Sequence, residues 1–456
     1  MKNNVTRFAP SPTGHLHIGG ARTAILSWIV AHKLSGSFLL RIEDTDSVRS
    51  TKEYADSILK SLEWLDIKYD NNPPIYQSDR YEHYKEIAHE LVKSGLAYYC
   101  YSSQSELDLK RTAYEKDNKG GWKYDGKWRD STAVPPTGVS PAIRLKVPYI
   151  GKVSWNDFIK GKIVIDNNQL DDFIILRSDG SPTYNFCVAV DDSDMGISHV
   201  IRGEDHIGNT PKQIYIYRAL GKEVPIFGHV PLILNPNGTK MSKSDQAASL
   251  DYYKDIGILP EALTNYLLLM SCNNLKSEIM TREEFVNDFE LTKLGNSPVK
   301  FDMAKLEWIN QQYIKKLSLD DFKKLLFSQL GLDVVNKYKD NDWSLLQLGV
   351  SDRSKYVNDF SALVNPLLNW NQNGVTDTLV FNVLTYLLSR DNFTPTSIHD
   401  DLIVYASDNG LKFGDLMKPL RGLLFPDMKL SIPDALCFIG KDNLSKTLYR
   451  VFALKM

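Results

Sequence analysis

The decisive stretch of this sequence is Pro10-Ser11-Pro12-Thr13-Gly14-His15-Leu16-His17-Ile18-Gly19-Gly20, and a second stretch, Lys240-Met241-Ser242-Lys243-Ser244, follows about two hundred residues later. The first stretch predicts a tight turn that leads into a helix beginning near Gly20. A helix start presents free backbone N–H groups and the positive end of the helix dipole, both of which favour a phosphate. The second stretch places two ammonium groups on a loop. Together they predict a site that holds the triphosphate of ATP from both sides.

The residue types within both stretches suit phosphate chemistry. Glycine at 14, 19 and 20 lets the backbone approach a nucleotide without an intervening side chain. His15 and His17 can hydrogen-bond to phosphate oxygens, and a protonated His17 would offset charge on a leaving pyrophosphate. Each stretch alone also fits an ordinary strand-to-helix connection or a solvated basic loop, but their joint occurrence favours the nucleotide. The predicted ATP contacts are Pro10, Ser11, Pro12, Thr13, Gly14, His15, His17, Gly19, Gly20, Lys240, Met241, Ser242, Lys243 and Ser244.

Both stretches resemble the HIGH and KMSKS motifs of class I aminoacyl-tRNA synthetases. KMSKS matches at every letter, whereas the first motif reads His17-Ile18-Gly19-Gly20, with glycine where a second histidine is often found. That departure is usual in the glutamyl branch of the family. The resemblance implies ATP as a substrate with Mg²⁺ alongside it. It also implies that His17, Lys240 and Lys243 are catalytic, because they would stabilise charge in the transition state.

Length and composition set wide limits. A chain of 456 residues is too long for one hydrophobic core, so about two to four domains are expected. The net charge of −2 does not indicate a nucleic-acid partner, so a tRNA would have to bind a local basic surface. No apolar run is long enough to span a membrane and the N-terminus lacks the apolar core of a signal peptide, which predicts a cytoplasmic protein. The scattered cysteines predict neither disulfides nor a zinc site; they are Cys100, Cys187, Cys272 and Cys437.

The order of strand-like and helix-like segments predicts an α/β fold. Residues 5 to about 98 alternate between the two, which favours a parallel sheet with its site at the carboxyl ends of the strands. We expect strands at 5–9, 37–42 and 229–234, helices at 21–34, 52–65, 81–95 and 210–220, and an exposed loop at 119–129. We expect the catalytic sheet to resume with strands at 173–176, 183–190 and 199–203. The predicted architecture is a Rossmann-like catalytic domain in two halves (1–98 and 181–244), an inserted α+β domain (99–180), and all-α domains (245–315 and 316–456).

A third stretch, Arg41-Ile42-Glu43-Asp44-Thr45-Asp46, resembles a pattern of glutamyl- and glutaminyl-tRNA synthetases. The blocks 181–186, 190–192 and 199–206 are similar to another part of the same family. A solvated acidic turn is the ordinary alternative for the third stretch. By the resemblance, Glu43 holds the α-ammonium of an amino acid.

Selecting glutamate over its near-isostere glutamine is a problem of charge. A guanidinium pairs bidentately with a carboxylate and pairs poorly with an amide. Arg7 and Arg202 are the candidates, although a surface ion pair is the commonest fate of an arginine. By the resemblance, Arg202 stands where the glutaminyl enzymes lack an arginine. The implied glutamate site consists of Arg7, Ser11, Glu43, Tyr184 and Arg202.

The C-terminal third separates the branches of the family. Residues 411–421 resemble the helical anticodon-binding region of bacterial glutamyl-tRNA synthetases, whereas the glutaminyl enzymes carry β-barrels there. The resemblance spans almost the whole chain, densely through about residue 310 and more loosely between about 320 and 405. It implies that the insertion 99–180 holds the acceptor end of tRNA(Glu), that 245–315 contacts its stem and that 316–456 reads its anticodon.

One departure concerns zinc. Many bacterial relatives bind zinc in the insertion through Cys-x-Cys and a later Cys and His. Here Cys100-Tyr101-Ser102 keeps one thiol, and Trp128 and Asp130 occupy the later places. One cysteine does not make a structural zinc site, so none is expected. Packing from Trp122 and Trp128 is expected to stabilise the loop instead.

The implied reaction is attachment of glutamate to tRNA through glutamyl-adenylate, and the family commonly needs bound tRNA before it activates glutamate. A non-discriminating form would also charge tRNA(Gln), and the sequence leaves this open. Three further possibilities are a tRNA-modifying relative, a non-catalytic tRNA-binding relative and a small-molecule nucleotidyltransferase. The helical region 316–456 argues against the first, and the retained His17, Lys240 and Lys243 argue against the second. The KMSKS stretch with the long helical region argues against the third, and a monomer is the default expectation.

The Lys243→Ala variant should lower pyrophosphate exchange, measured with tRNA present, far more than it lowers glutamate binding. The lost ammonium would act on the phosphates in the transition state and not on the amino acid. Exchange at the wild-type rate would remove Lys243 from its predicted role.

Overall fold

The computed structural model describes residues 4–46, 48–117, 122–241, 248–368, 377–424 and 430–453. The chain forms two compact units. One consists of Met1–Tyr252 with Thr264–Asp302, and the other of Tyr253–Leu263 with Met303–Met456. The predicted division into five functional domains stays a prediction.

The N-terminal part of the first unit alternates strand and helix as expected. Helix and strand bounds agree with the expected ones within a few residues, and the strand at 37–42 agrees to the residue. In chain order, the elements are β1 (Val5–Phe8), α1 (Ile18–Lys33), β2 (Ser37–Ile42), α2 (Lys52–Trp64), β3 (Ile75–Tyr76), a short 3₁₀ helix (Gln77–Arg80) and α3 (Tyr81–Lys93).

The next segment carries strands that pair with one another and not with the catalytic sheet. β4, β5 and β8 form an antiparallel sheet in that order, and β6 and β7 form an antiparallel hairpin. These elements are β4 (Ala97–Cys100), α4 (Gln104–Asp117), β5 (Ala142–Leu145), β6 (Lys152–Asp157), β7 (Gly161–Asp166), a short 3₁₀ helix (Asn167–Gln169) and β8 (Ile174–Leu176). The strand expected at 173–176 therefore exists, but its assignment to the catalytic sheet was wrong.

The part of the chain predicted to be the second catalytic half begins with a helix where a strand was expected. Residues 184–190 lie in a helix whose Phe186–Val190 run is almost completely buried. A continuous apolar run does not distinguish a buried strand from a buried helix, so the expected strand at 183–190 was wrong. The elements are α5 (Tyr184–Asp194), β9 (His199–Gly203), a short 3₁₀ helix (Glu204–Asn209), α6 (Thr210–Ala219), β10 (Ile226–Val230) and β11 (Ile233–Leu234). The single strand expected at 229–234 is divided at Pro231, which has no N–H to donate.

Two parallel groups of strands meet at β1. β1, β2 and β3 pair in that order, and β9 pairs with β10. The Ser198 backbone N–H, just before β9, donates to the Val5 carbonyl at 2.9 Å. This bond aligns the two groups, so their carboxyl ends face the same side.

Further elements are α7 (Leu250–Asp255), α8 (Pro260–Leu269), α9 (Arg282–Asp288), a short 3₁₀ helix (Leu291–Lys293) and β12 (Val299–Lys300), which pairs with β11.

The tip of the β6–β7 hairpin packs against β10. The Phe158 backbone N–H donates to the Phe227 carbonyl at 3.0 Å. Gly228 permits this approach, because a Cβ there would lie 2.1 Å from the Phe158 ring. The hairpin tip is therefore fixed to β10, at the middle of that strand.

The described residues of the second unit from 303 onward form helices without a strand. Trp343 is completely buried and packs between Phe327 and Phe438, with ring centroids 5.3 and 4.8 Å away. No helix within the described ranges is both long and apolar enough to cross a membrane. The helices are α10 (Met303–Lys315), α11 (Leu319–Phe327), α12 (Leu332–Tyr338), α13 (Ser344–Arg353), α14 (Asp359–Leu368), α15 (Thr378–Leu388), α16 (Pro395–Asp408), α17 (Phe413–Leu424), α18 (Ile432–Ile439) and α19 (Lys441–Ala453).

Candidate functional site

A cavity of about 530 Å³ opens at the carboxyl ends of β1, β2, β9 and β10, beside the start of α1. This is the position at which α/β sheets bind ligands, because loops and helix starts converge there. The predicted site residues that line it are Arg7, His17, Gly19, Gly20, Glu43, Tyr184, Arg202, Lys240 and Met241.

His17 caps helix α1, and this cap determines the tautomer of its neutral ring. Its Nδ1 accepts a hydrogen bond of 3.0 Å from the Gly19 backbone N–H. The neutral ring therefore carries its proton on Nε2, which makes Nε2 a donor. A protonated His17, as expected from the sequence, would have to give up this cap. The helix also begins at Ile18, two residues before the expected start.

The turn before α1 lies outside the cavity lining. Pro10 contributes its carbonyl to the Glu43 N–H at 2.9 Å, and Pro12 contributes its carbonyl to the Thr51 N–H at 3.2 Å. The exposed His15 contacts Ser57 and Asp251 instead of the cavity. The structure therefore does not bring these predicted ATP contacts to the cavity: Pro10, Ser11, Pro12, Thr13, Gly14 and His15. Ser242, Lys243 and Ser244 fall outside the described residues.

Arg202 is buried at the end of β9, and its hydrogen-bond partners in the described part of the chain are neutral side chains. Its guanidinium donates to His229 Nε2, Gln213 Oε1 and Thr210 Oγ1 at 3.1, 2.8 and 2.8 Å. Within the described ranges no carboxylate forms an ion pair with it. Burial lowers the pKa of Arg202. A buried, uncompensated guanidinium that faces a cavity favours an anionic ligand.

Arg7, in contrast, is already paired. Its Nε and Nη2 donate to the two carboxylate oxygens of Asp192 at 3.0 and 3.3 Å. Asp192 also accepts from Arg41 at 2.7 Å, and Arg41 donates to Glu43 at 2.9 Å. Burial alone would raise the pKa of Asp192, but the charges of Arg7 and Arg41 outweigh it and lower this pKa to about 2. Burial raises the pKa of Glu43, and Arg41 opposes that rise.

Tyr184 and His206 complete the wall beside Arg202. The Tyr184 hydroxyl lies 3.3 Å from His206 Nδ1. Burial, and then the charge of Arg202, lower the pKa of His206 to about 4, so the ring is neutral near pH 7. Burial raises the pKa of Tyr184, which therefore keeps its proton.

Several residues of the site were missed from the sequence. Arg41 had no role in the sequence prediction, and Asp192, in the block 190–192 that follows the expected strand 183–190, was given none either. Arg22 lines the cavity from α1 and is held by Ser271 Oγ and the Pro231 carbonyl at 2.7 and 2.9 Å. The sequence does carry one signal that could have found Arg22 and Arg41: each is a charged residue beside apolar ones, and a charged side chain is rarely buried unless it has a partner.

The inserted segment packs around Cys100 without a second thiol. Cys100 Sγ lies 3.4 Å from the Tyr124 hydroxyl and accepts from Arg144 Nε at 3.3 Å. The Arg144 guanidinium lies 3.8 Å from the centre of the Tyr124 ring, and the expected packing from Trp122 and Trp128 is confirmed. Tyr124 is buried, so the expectation of an exposed loop was wrong at that residue. Among the described residues, no group of three or more His, Cys, Asp or Glu side chains is arranged to hold a metal ion.

The parallel sheet, the cavity at its carboxyl ends and the glycine-flanked helix start define a class I synthetase catalytic domain. The family model of tRNA synthetases class I (E and Q), catalytic domain, matches residues 4–308. A glutamate–tRNA ligase of Nitrosomonas europaea is 42% identical over 463 residues, which cover 98% of this chain and 97% of the relative. A glutamate–tRNA ligase of Francisella tularensis subsp. novicida is 49% identical over 334 residues, which cover 73% and 71%.

Solved structures agree with this assignment. A glutamate tRNA ligase from Elizabethkingia meningosepticum, in complex with its amino acid, superposes with a TM-score of 0.83 at 29% identity and covers 99% of both chains. The glutamate-tRNA synthetase of Elizabethkingia anophelis gives 0.79 at 29% identity, over 99% of this chain and 100% of that one. The chain belongs to the glutamate–tRNA ligase family of class I tRNA synthetases.

Replacing Asp192 by Asn should lower the free energy of unfolding by about 3 kcal/mol, because the buried guanidinium groups of Arg7 and Arg41 lose the negative charge with which both pair. Asp194→Asn, on the same helix, is the control. It pairs with Arg80 and His83 near the surface and should change the free energy by about 1 kcal/mol or less. Denaturant unfolding measures both variants. In the wild type this contribution is present above the ordinary pKa of 3.8 and is lost as pH falls through about 2. Equal effects of the two variants would contradict this account.

Proposed function

We propose that the chain attaches L-glutamate to tRNA(Glu) in an ATP-dependent reaction that releases AMP and pyrophosphate. The observation that carries this proposal is the buried Arg202, which lines the cavity and, among the described residues, hydrogen-bonds to the neutral side chains of His229, Gln213 and Thr210. The family assignment supports it, because relatives named glutamate–tRNA ligase match nearly the full length of the chain. That coverage disfavours a tRNA-modifying relative that lacks an anticodon-binding part.

In the first step, a carboxylate oxygen of the α-carboxyl of glutamate attacks the α-phosphorus of ATP, and pyrophosphate leaves. The protein positions the reactants and stabilises charge on the phosphates. We assign this work to His17, which offers an Nε2–H donor at the helix start, and to Lys240 and Lys243. Lys240 lines the cavity, which supports its role. Arg22, on the same side as the start of α1, adds a buried positive charge.

In the second step, the terminal ribose 2′-OH of tRNA attacks the glutamyl carbonyl carbon. The hydroxyl loses its proton, the ester bond forms and AMP leaves. Mg²⁺ is proposed to arrive with ATP as part of that substrate. We assign it no protein ligands and no step.

The glutamate site is proposed to be Arg7, Glu43, Tyr184 and Arg202, which line the cavity. Ser11, predicted with them from the sequence, lies in the turn outside the cavity lining and stays a prediction. The charge of Arg7 is already compensated by Asp192, whereas that of Arg202 is not. This difference supports Arg202 as the main partner of the side-chain carboxylate. Glu43 would bind the α-ammonium of the substrate. The positive charge of that ammonium would offset the cost of burying the Glu43 carboxylate.

The remaining assignments concern tRNA. The insertion 99–180 is proposed to hold the acceptor end, 245–315 to contact the stem, and the helices of 316–456 to read the anticodon by stacking and hydrogen bonds. A monomer located in the cytoplasm stays a prediction from the sequence.

Charging assays test this function directly. Purified tRNA(Glu) and tRNA(Gln) are each incubated with labelled glutamate, ATP and the protein, and acid-precipitable label is counted. We expect charging of tRNA(Glu). Charging of tRNA(Gln) as well would mark a non-discriminating enzyme whose product needs an amidotransferase. If neither tRNA is charged by folded protein that binds ATP, the proposal is wrong.

Arg202→Met should erode discrimination between glutamate and glutamine by about a hundredfold or more, because the carboxylate loses its charged partner. The ratio of kcat/KM for the two amino acids measures it. Arg144→Met is the matched control, since Arg144 is equally buried but lies outside the cavity lining. Unchanged discrimination in Arg202→Met would remove Arg202 from the role assigned here.

A further inference from the structure

The tip of the β6–β7 hairpin places a buried carboxylate behind Arg202. Asp157 Oδ2 lies 2.5 Å from His229 Nδ1, and both side chains are completely buried. The other oxygen, Oδ1, accepts from the backbone N–H groups of Ile159, Lys160 and His229 at 3.0, 2.9 and 3.2 Å. Asp157 thus closes the hairpin turn with one oxygen and holds the His229 imidazole with the other.

The bonds around His229 fix its tautomer. Arg202 Nε, 3.1 Å from His229 Nε2, is a donor and never an acceptor. His229 Nε2 must therefore be unprotonated, so the single proton of the neutral ring resides on Nδ1 and is donated to Asp157. Burial lowers the pKa of His229, which keeps the ring neutral. By holding the proton on Nδ1, the Asp157 carboxylate leaves Nε2 of His229 as a hydrogen-bond acceptor.

Nε2 of His229 orients Arg202 by accepting a hydrogen bond from its Nε–H. The guanidinium has five N–H groups. In the described part of the chain three of them have protein acceptors: Nε reaches His229, Nη1 reaches Gln213 and Nη2 reaches Thr210. One N–H on each terminal nitrogen is left for a ligand, and two such donors suit a carboxylate. The Phe227 ring lies under the guanidinium, with its centre 5.3 Å from Cζ.

The hairpin tip that carries Asp157 also contacts the protein through the two residues Phe158 and Lys160. Phe158 packs on Gly228 and donates its N–H to the Phe227 carbonyl. Lys160 Nζ lies 2.5 Å from Glu204 Oε2, and Glu204 Oε1 accepts from the Leu232 N–H at 2.9 Å. Leu232 lines the cavity. The hairpin tip therefore contacts elements beside the cavity at two further places, through Phe158 on Gly228 and through Lys160 on Glu204.

We infer that Asp157 is a positioning residue for glutamate recognition: through the Nδ1–H tautomer of His229, it sets the orientation in which Arg202 presents its free N–H groups. The inference rests on the proposed function. It makes the inserted segment, which is proposed to hold the tRNA acceptor end, part of the support of the amino-acid pocket.

Asp157→Asn tests the inference. If the introduced asparagine keeps its oxygen on the backbone N–H groups, its amide nitrogen faces His229 Nδ1. The ring then shifts its proton to Nε2, which no longer accepts from Arg202. We expect the KM for glutamate in the charging reaction to rise about tenfold, with kcat at saturating glutamate changed by about twofold at most. Nitrogen-15 NMR of histidine-labelled protein should report Nδ1–H for His229 in the wild type and Nε2–H in the variant.

Two further variants separate positioning from folding. Val153→Ala, at a buried apolar position four residues before Asp157 in the same hairpin, should lower stability but leave the KM and the tautomer unchanged, because it removes no hydrogen bond to His229. The double variant Asp157→Asn/His229→Gln should recover part of the lost KM, because the glutamine amide oxygen can accept from Arg202 without a tautomer choice. A purely structural role for Asp157 predicts a double variant that is worse than either single one.

The outcomes are distinguishable. Wild-type protein that charges no tRNA with glutamate would overturn the proposed function and this inference with it. Charging by the wild type with equal KM values in Asp157→Asn and Val153→Ala would overturn the inference alone. An Nε2–H tautomer of His229 in the wild type would also overturn it, independently of any activity.

Discussion

Asp192 lies between two buried guanidinium groups, and the architecture of the site depends on this arrangement. Burying an isolated charge at the end of a parallel sheet is costly, because the charge loses its hydration and the protein interior returns only part of that free energy. Helix α5 supplies the carboxylate, so Arg7 from β1 and Arg41 from β2 can both be buried beside Glu43. Among the described residues, Arg7 therefore has a carboxylate partner, whereas Arg202 has none. That asymmetry favours an anionic ligand at the Arg202 end of the cavity.

The sequence predicted the parts of the site that are contiguous in the chain. The helix start after His17 and the strands at 37–42 and 199–203 follow from local patterns, because turn residues and short apolar runs carry their own signal. The family resemblance located Arg7, Glu43, Tyr184 and Arg202, and all four line one cavity. Their assignment to glutamate is still a proposal.

The errors share a physical origin. Residues 186–190 form a continuous apolar run, so periodicity could not show that the segment is helical. The strand at 173–176 was assigned to the wrong sheet, because strand partners depend on contacts far apart in sequence. Likewise, no local pattern shows that Asp192 compensates Arg7 or that Asp157 meets His229, since 185 and 72 residues separate these pairs. His15 was expected to face a phosphate, yet it contacts two neighbouring helices instead.

The contact between Phe158 and Gly228 has a consequence for how such enzymes can be recombined. An inserted segment is commonly treated as a cassette that can be exchanged between relatives while the host domain stays intact. Here the cassette and the host share a surface in which one glycine admits one aromatic ring. A chimera built by cutting only at the ends of the insertion would keep that surface intact only where the incoming hairpin tip also fits against Gly228. The natural unit of exchange is therefore the hairpin together with strand β10, although the two are far apart in the gene.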